Sequence, residues 1–369
     1  MQFMDALKNV YSEQFFENIS KGLIEVIPGF NRKKFLKGIH EEGFDGMELK
    51  QRMAHIAKVL HRFMPSEYEE SSKLLLKLTD QLQNANIPTQ HIEFMFLPEF
   101  ISIYGQDHFD HSVKAMERVT QFISCEFAVR FFILRYKDKM MKQMLKWSKH
   151  KSRHVRRLAT EGSRPRLPWA IGIPELKKDP SPILPILENL KEDECEIVRR
   201  SVANNLNDIS KDHPDLFLNI IKKWKGISRE TDAIIKHASR SLLKSGHVSI
   251  LDFYNLNGKG IKLDKFSLQS STVKIGDKIE FDFRVKNTFP ETLITRLEYG
   301  MHFRLANGKL SRKVFKISER NLKPGEEIYI KKSHSFRIIT TRKFYPGPHK
   351  LSVIVNGKES VPIEFELKK

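Results

Sequence analysis

Residues 154–162 read HVRRLATEG and residues 197–208 read IVRRSVANNLND, and this pair decides the fold. Each opens apolar-Arg-Arg and then spaces its apolar side chains three and four apart. Val155, Leu158, Ala159 and Gly162 do so in the first stretch, and Val198, Val202 and Leu206 in the second, with Ile209 just beyond it. That spacing lays one packing stripe along an α-helix. A weaker copy, IIKHASRSLLK, spans 234–244. The anchors Val155, Val198 and Ile235 lie 43 and 37 residues apart, close to the roughly 40–47 residues of a HEAT or armadillo hairpin. Such hairpins stack into a solenoid whose inner face suits a long partner.

Outward from these repeats the chain stays helical to about Gly246. Leu23, Ile24 and Ile27, then Met53, Ile56 and Leu60, then Leu74, Leu75, Leu78 and Leu82 keep the helical period, and Pro and Gly punctuate it at Pro28-Gly29, Pro65-Ser66 and Pro98. From Ile261 the period changes to two. IEFDFRVKN sets Ile279, Phe281, Phe283 and Val285 on one face and Glu280, Asp282, Arg284 and Lys286 on the other. Further alternating stretches follow, with turn signals at Asn307-Gly308, Pro324-Gly325, Pro346-Gly347 and Asn356-Gly357. The expectation is a multidomain all-α plus all-β chain. Residues 1–248 form an α-helical HEAT-like repeat solenoid, 249–260 a linker containing Asn255, Asn257 and Gly258, and 261–369 an immunoglobulin-like β-sandwich.

The chain has 369 residues, 64 Lys plus Arg against 45 Asp plus Glu, and a formal charge of +19. Up to residue 250 there are 40 bases and 32 acids, and beyond it 24 and 13, so the last third is the more basic per residue. Such a surface attracts polyanions. No basic amphipathic helix, apolar span or basic leader is present, so a nucleic acid is expected rather than a membrane. Two cysteines, Cys125 and Cys195, both in stretches that read as helix, make neither a disulfide framework nor a cysteine zinc site. A reducing, cytoplasmic compartment is expected.

Helical spacing also places the polar side chains. Arg157, Glu161 and Arg164 form a stripe in the first repeat, Arg200, Asn204, Asp208 and Lys211 one in the second, and Lys236, Arg240 and Lys244 a basic one in the third. Stacked in register, these would line a phosphate track. Two readings of its acids, Glu161 and Asp208, stand side by side. They pair with bases one turn away, worth a few tenths of a kcal/mol, or their charge serves chemistry. Glu126 raises the same choice: in FISCEFAVRFFIL, 122–134, it and Arg130 are the only charges, either an ion pair between helices or a carboxylate held beside the groove. Trp169 sits among Pro165, Pro168 and Pro174, on a loop that either fills the core or stacks on a nucleotide. Phosphate-loop, dinucleotide, zinc-protease and serine-hydrolase signatures are absent. His108 and His111 beside Asp107 and Asp110 read as a solvated helix start; no metal and no cofactor is expected.

GMELKQRMAHIA (46–57), SCEFAVRFFI (124–133), HVRRLATEGSRPRLPWA (154–170) and VRRSVANNLNDISKDHPD (198–215) resemble the AlkC branch of the HEAT-like-repeat DNA alkylation repair glycosylases. The resemblance covers residues 1–250, and TTRKFYPGPHKLSVIVNGK (340–358) resembles the immunoglobulin-like domain carried by a subset of that branch. It implies a monofunctional glycosylase that hydrolyses the N-glycosidic bond of cationic bases, chiefly 3-methyladenine and 3-methylcytosine, in double-stranded DNA. Glu161 and Asp208 would be its active-site acids, Glu126 a further acid, and Trp169 the aromatic at the lesion nucleotide. Arg157, Arg164, Arg166, Arg200, Asn204, Lys211, Lys236 and Arg240, with Arg342 and Lys343 of the β domain, would hold DNA, and the β domain would close on the duplex as a clamp. A cytoplasmic, nucleoid-associated bacterial monomer without an obligate protein partner follows. The competing expectation is a non-catalytic lesion-binding HEAT scaffold, which needs the bases but not the acids.

Overall fold

The computed structural model describes residues 7–41, 43–85, 87–256, 258–339 and 342–369. The readings that fall on Asn257, on Thr340 and Thr341, and on the first six residues lie outside them. Helices α1 (Glu13–Val26), α2 (Arg32–His40), α3 (Leu49–His61), α4 (Tyr68–Asn84), α5 (Phe96–Tyr104), α6 (Phe109–Val119), α7 (Ala128–Tyr136) and α8 (Asp138–Trp147) fill the first part. Then come α9 (Arg153–Gly162), α10 (Pro174–Lys178), α11 (Leu184–Leu190), α12 (Glu196–Asp212), α13 (Pro214–Trp224), α14 (Arg229–Ala238), α15 (Arg240–Ser245) and α16 (Val248–Phe253). Strands β1 (Ile261–Leu268), β2 (Thr272–Lys274), β3 (Lys278–Asn287), β4 (Leu293–Arg304), β5 (Leu310–Leu322), β6 (Glu327–Ser335), β7 (Gly347–Val355), β8 (Lys358–Glu359) and β9 (Ile363–Lys368) complete the chain. The fold is therefore helical and then β-rich. Two compact units result, residues 1–213 with 219–238, and 214–218 with 239–369.

In the first unit α9 packs on α12 and α12 on α14, so the repeat helices lie side by side as their spacing predicts. Their anchors Val155, Val198 and Ile235 are buried. Gly162 ends α9 because nothing larger fits: a Cβ there would stand 2.5 Å from Val129 Cγ1 and 3.2 Å from Met144 Cε. Among the described residues no helix is long and apolar enough to cross a membrane.

Three stretches depart from the sequence reading. Residues 122–134 are not one helix: α6 stops at Val119 and α7 starts at Ala128. Side-chain hydroxyls compete with the ladder between them, Thr120 Oγ1 and Ser124 Oγ accepting from the amides of Cys125 and Glu126 at 3.4 Å each. Cys125 therefore lies outside a helix, and Cys195 is the N-cap of α12. The basic stripe over 236–244 is divided, because Ser239 separates α14 from α15. Within 249–260 the chain is helical up to Phe253, with Leu251 and Leu256 buried.

In the second unit β1, β3 and β6 form an antiparallel sheet, and β2, β9, β7, β4 and β5 form the other, with β8 on β7. Ile279, Phe281, Phe283 and Val285 turn inward against Leu297, Met301, Leu351, Val353 and Phe365. The opposite face is less uniformly solvated than the alternation suggests: Asp282 is buried and accepts from Ser267 and Gln269. Asn356 (φ 46°) and Gly357 (φ 79°) form the tight turn before β8, where positive φ is needed at both positions. Leu251 of α16 packs against that turn, since a Cβ on Gly357 would lie 2.4 Å from its Cδ1.

Candidate active site

The acids of the two repeats meet. Glu161 sits in the last turn of α9 and Asp208 in α12, and the Arg164 guanidinium joins them, Nη1 donating to Glu161 Oε1 at 2.5 Å and Nε to Asp208 Oδ2 at 2.9 Å. Ser201 Oγ donates to the other oxygen of Glu161 at 2.5 Å, and Lys211 Nζ to the other oxygen of Asp208 at 3.0 Å. The cluster is interior, with Glu161 5%, Arg164 7% and Asp208 1% exposed. Burial alone depresses the Arg164 cation, but Glu161 and Asp208 outweigh it, and its pKa rises above the ordinary guanidinium value. Arg164 is thus no open phosphate contact. It lies beyond the end of α9 and its side chain enters the gap between α9 and α12.

Glu126 occupies a different position from that expected of an Arg130 partner. Arg157 Nη1 reaches Glu126 Oε2 at 2.7 Å, and Ser124 Oγ donates to the same oxygen at 2.9 Å. Arg130 instead bonds backbone carbonyls. Glu126, Ser124 and Arg157 line a cavity of about 440 Å³ together with Phe127, Met53, Met95, Gln90, His154 and Trp169. Burial lowers the His154 pKa, and Arg153 and Arg157 lower it further, so the imidazole is neutral at pH 7. Trp169 is 61% exposed at the mouth, on backbone of φ +66°. Core filling is thereby excluded for it. Lys50 of α3 donates to the Trp169 carbonyl and lies over the Phe127 ring at 5.1 Å.

The remaining cations are mostly engaged. Arg166 forks onto Asp212, Nε at 2.9 Å and Nη2 at 2.5 Å, and Arg200 pairs with Glu196 at 2.9 Å in the open. Asn204 Oδ1 faces His237 Nε2 at 3.3 Å. Lys236 and Arg240 are half-buried. In the second unit Arg342 lies over the Phe303 ring at 4.2 Å and exposed Lys343 beside Tyr345 at 5.5 Å. His108 stands at the N-cap position of α6 without a side-chain capping bond and stacks on Tyr68, while His111 faces Glu69 at 3.7 Å. Sequence reasoning passed over Lys50, Ser201 and His154, whose roles come from helices that meet only in the folded chain.

Residues 50–242 match the family model described as DNA alkylation repair enzyme, and residues 262–369 the one described as the C-terminal Ig-like domain of an uncharacterised protein, YhaZ. An uncharacterised protein of that name from Bacillus subtilis (strain 168) is 40% identical over 365 residues, 99% of this chain and all of that protein. The fold superposes with a TM-score of 0.91 on Pseudomonas fluorescens alkylpurine DNA glycosylase AlkC bound to DNA containing an abasic site analog. That pair shares 35% identity over 99% of this chain and all of that one. The packed repeat helices and the appended sandwich agree with these likenesses, and the chain belongs to the DNA alkylation repair enzyme family, in its AlkC-like form with a C-terminal Ig-like domain.

Proposed function

We propose that this protein is a DNA glycosylase that removes cationic N3-alkylated bases, 3-methyladenine and 3-methylcytosine, from duplex DNA. The observation that carries the reading is the grouping of a carboxylate, Glu126, and an outward indole, Trp169, around one cavity, in a chain of +19. The charge supports a polyanionic partner, and so does the likeness to a structure solved with DNA. A phosphate-binding surface has no need of the carboxylates.

An N3-methylated base already carries the positive charge that a leaving group needs. The C1′–N bond breaks with its electron pair going to the base nitrogen, the base leaves neutral, and the sugar becomes an oxocarbenium cation. Water then adds to C1′ and loses a proton, giving an abasic sugar. No acid has to protonate the base. The protein's tasks are to stabilise a cationic sugar and to hold water, which carboxylates do. Glu126 reaches the cavity directly. Asp208 and Glu161 share their charge with Arg164, so their contribution is a field from within and a fixed frame for the loop that carries Trp169. Arg157, Arg200, Arg342 and Lys343 supply phosphate contacts, with the indole on the lesion nucleotide.

Substrate charge tests this mechanism. The enzyme should release 3-methyladenine readily and leave a neutral lesion such as hypoxanthine in place. Equal release of both would require a general acid and overturn it. A non-catalytic lesion-binding scaffold would bind both duplexes and release neither.

A further inference from the structure

Arg130 is a charge that the proposed chemistry leaves unused, and it is 0% exposed. Its Nη1 donates to the carbonyls of Gly162 at 3.0 Å and Arg164 at 2.6 Å, and its Nε to that of Ile171 at 2.6 Å. Gly162 is the last residue of α9, so its carbonyl has no partner within the helix. The guanidinium therefore caps α9 and ties together both ends of the segment 162–171.

The interior of that segment is tied as well. Leu167 is buried, Arg166 forks onto Asp212, Arg164 is held by Glu161 and Asp208, and Lys50 takes the Trp169 carbonyl. Prolines at 165 and 168 stiffen what is left. The largest apolar side chain escapes: the indole of Trp169 is turned out on left-handed backbone that bulky residues rarely adopt, with Ile171 less exposed beside it. A loop fixed at so many points while its largest apolar group faces solvent is built to present that group.

Resting on the reading that Trp169 meets the lesion nucleotide, we propose that Arg130 is a positioning residue which, with Lys50, sets the indole for DNA. The planar fork spreads its donors in a fixed geometry over three separated carbonyls. Lysine at 130 keeps the charge but not the fork.

The test uses the full chain. Trp147 is 1% and Trp224 5% exposed, so acrylamide quenching of tryptophan fluorescence reads Trp169. Arg130→Lys and Lys50→Ala should each change that quenching and slow single-turnover release of 3-methyladenine about tenfold or more. Affinity for undamaged duplex should stay within about threefold, because the bonds removed join the loop to α7 and α3 and are not phosphate contacts. In a Trp169→Ala background, neither change should slow release by more than about twofold further, since both act through the indole. Lys50→Ala, which removes an exposed bond and the contact with the Phe127 ring but nothing in the core, keeps the test open if Arg130→Lys fails to fold. Wild-type release by Lys50→Ala, or full multiplication of its effect with that of Trp169→Ala, would overturn the proposal. If Trp169→Ala alone releases base normally, the reading of the indole falls and this inference with it; if only Lys50→Ala is silent, the inference falls alone.

Discussion

Asp208→Asn removes one charge and almost no volume from the buried cluster. Both carboxylate oxygens are in use, Oδ2 by Arg164 Nε at 2.9 Å and Oδ1 by Lys211 Nζ at 3.0 Å. An amide has a single oxygen, so one cation must face an NH2 group. The Lys211 side chain is 39% exposed and swings into water, while that of Arg164, at 8%, has nowhere to go. The amide oxygen therefore stays with Arg164. What disappears is the charge on one buried hydrogen bond and one half-exposed pair, together about 2 kcal/mol. Asp208→Ala leaves Arg164 short of an acceptor and costs about 3–5 kcal/mol. Urea unfolding measures both. At 25 °C the Asn variant remains folded, so its catalytic defect can be read separately, and we expect release of 3-methyladenine to fall about a hundredfold, equivalent to about 2.7 kcal/mol of barrier. Duplex affinity should hold or rise slightly. Wild-type release by a folded Asp208→Asn protein would refute the reasoning, since the carboxylate would then serve Arg164 alone.

Other outcomes follow from the same structure. Reversing Arg342 and Lys343 to Glu should flatten the slope of log Kd against log salt by about 0.9 for each phosphate no longer neutralised; an unchanged slope would mean that the sandwich does not hold DNA. Gly162→Ala forces a Cβ to 2.5 Å from Val129 Cγ1 and should cost about 1–3 kcal/mol, with Val129→Ala restoring most of it; a silent Gly162→Ala would contradict the tight end of α9. His334 is buried behind the Tyr299 hydroxyl, which it meets at 2.9 Å, and burial, aided by the Arg342 charge, pushes its pKa down from 6.5 to about 4. The unfolded chain binds this proton more readily, so the stability is present above about pH 6.5 and is lost as pH falls toward about 4, by up to about 3 kcal/mol. Protection factors of the β3 and β4 amides, which already allow for the slower intrinsic exchange in acid, should fall over that range, and His334→Gln should weaken the dependence, leaving the part that buried His349 contributes.

The repeats and the sandwich were legible because they rest on period alone. Val155, Val198 and Ile235 at hairpin spacing predict helices that stack, and the alternation through 279–286 predicts a strand with one buried face. The pairing of Glu161 with Arg164 and of Asp208 with Lys211, each three residues on, was legible as one of the two readings of those acids. The direction of each side chain was not legible. Arg164 falls on the same helical stripe as Arg157, yet α9 ends at Gly162, and beyond a helix end the spacing no longer fixes a face. Glu126 and Arg130, one turn apart in an apolar stretch, read as partners. They separate because Thr120 and Ser124 break the helix before Ala128, an outcome set by hydroxyl competition rather than hydrophobic period. Lys50 lies 119 residues from Trp169, and no local pattern announces that bond.

In the proposed chemistry, carboxylates and an indole in one basic helical array perform hydrolysis. Single-turnover incubation of the wild-type protein with duplex DNA carrying 3-methyladenine or 3-methylcytosine tests it most directly, with free base and abasic sites followed together. The expected result is release of both bases, one abasic site for each base freed. Tight, salt-sensitive binding of the same duplexes with neither base released would contradict it and leave a protein that grips damaged DNA without cutting its glycosidic bond.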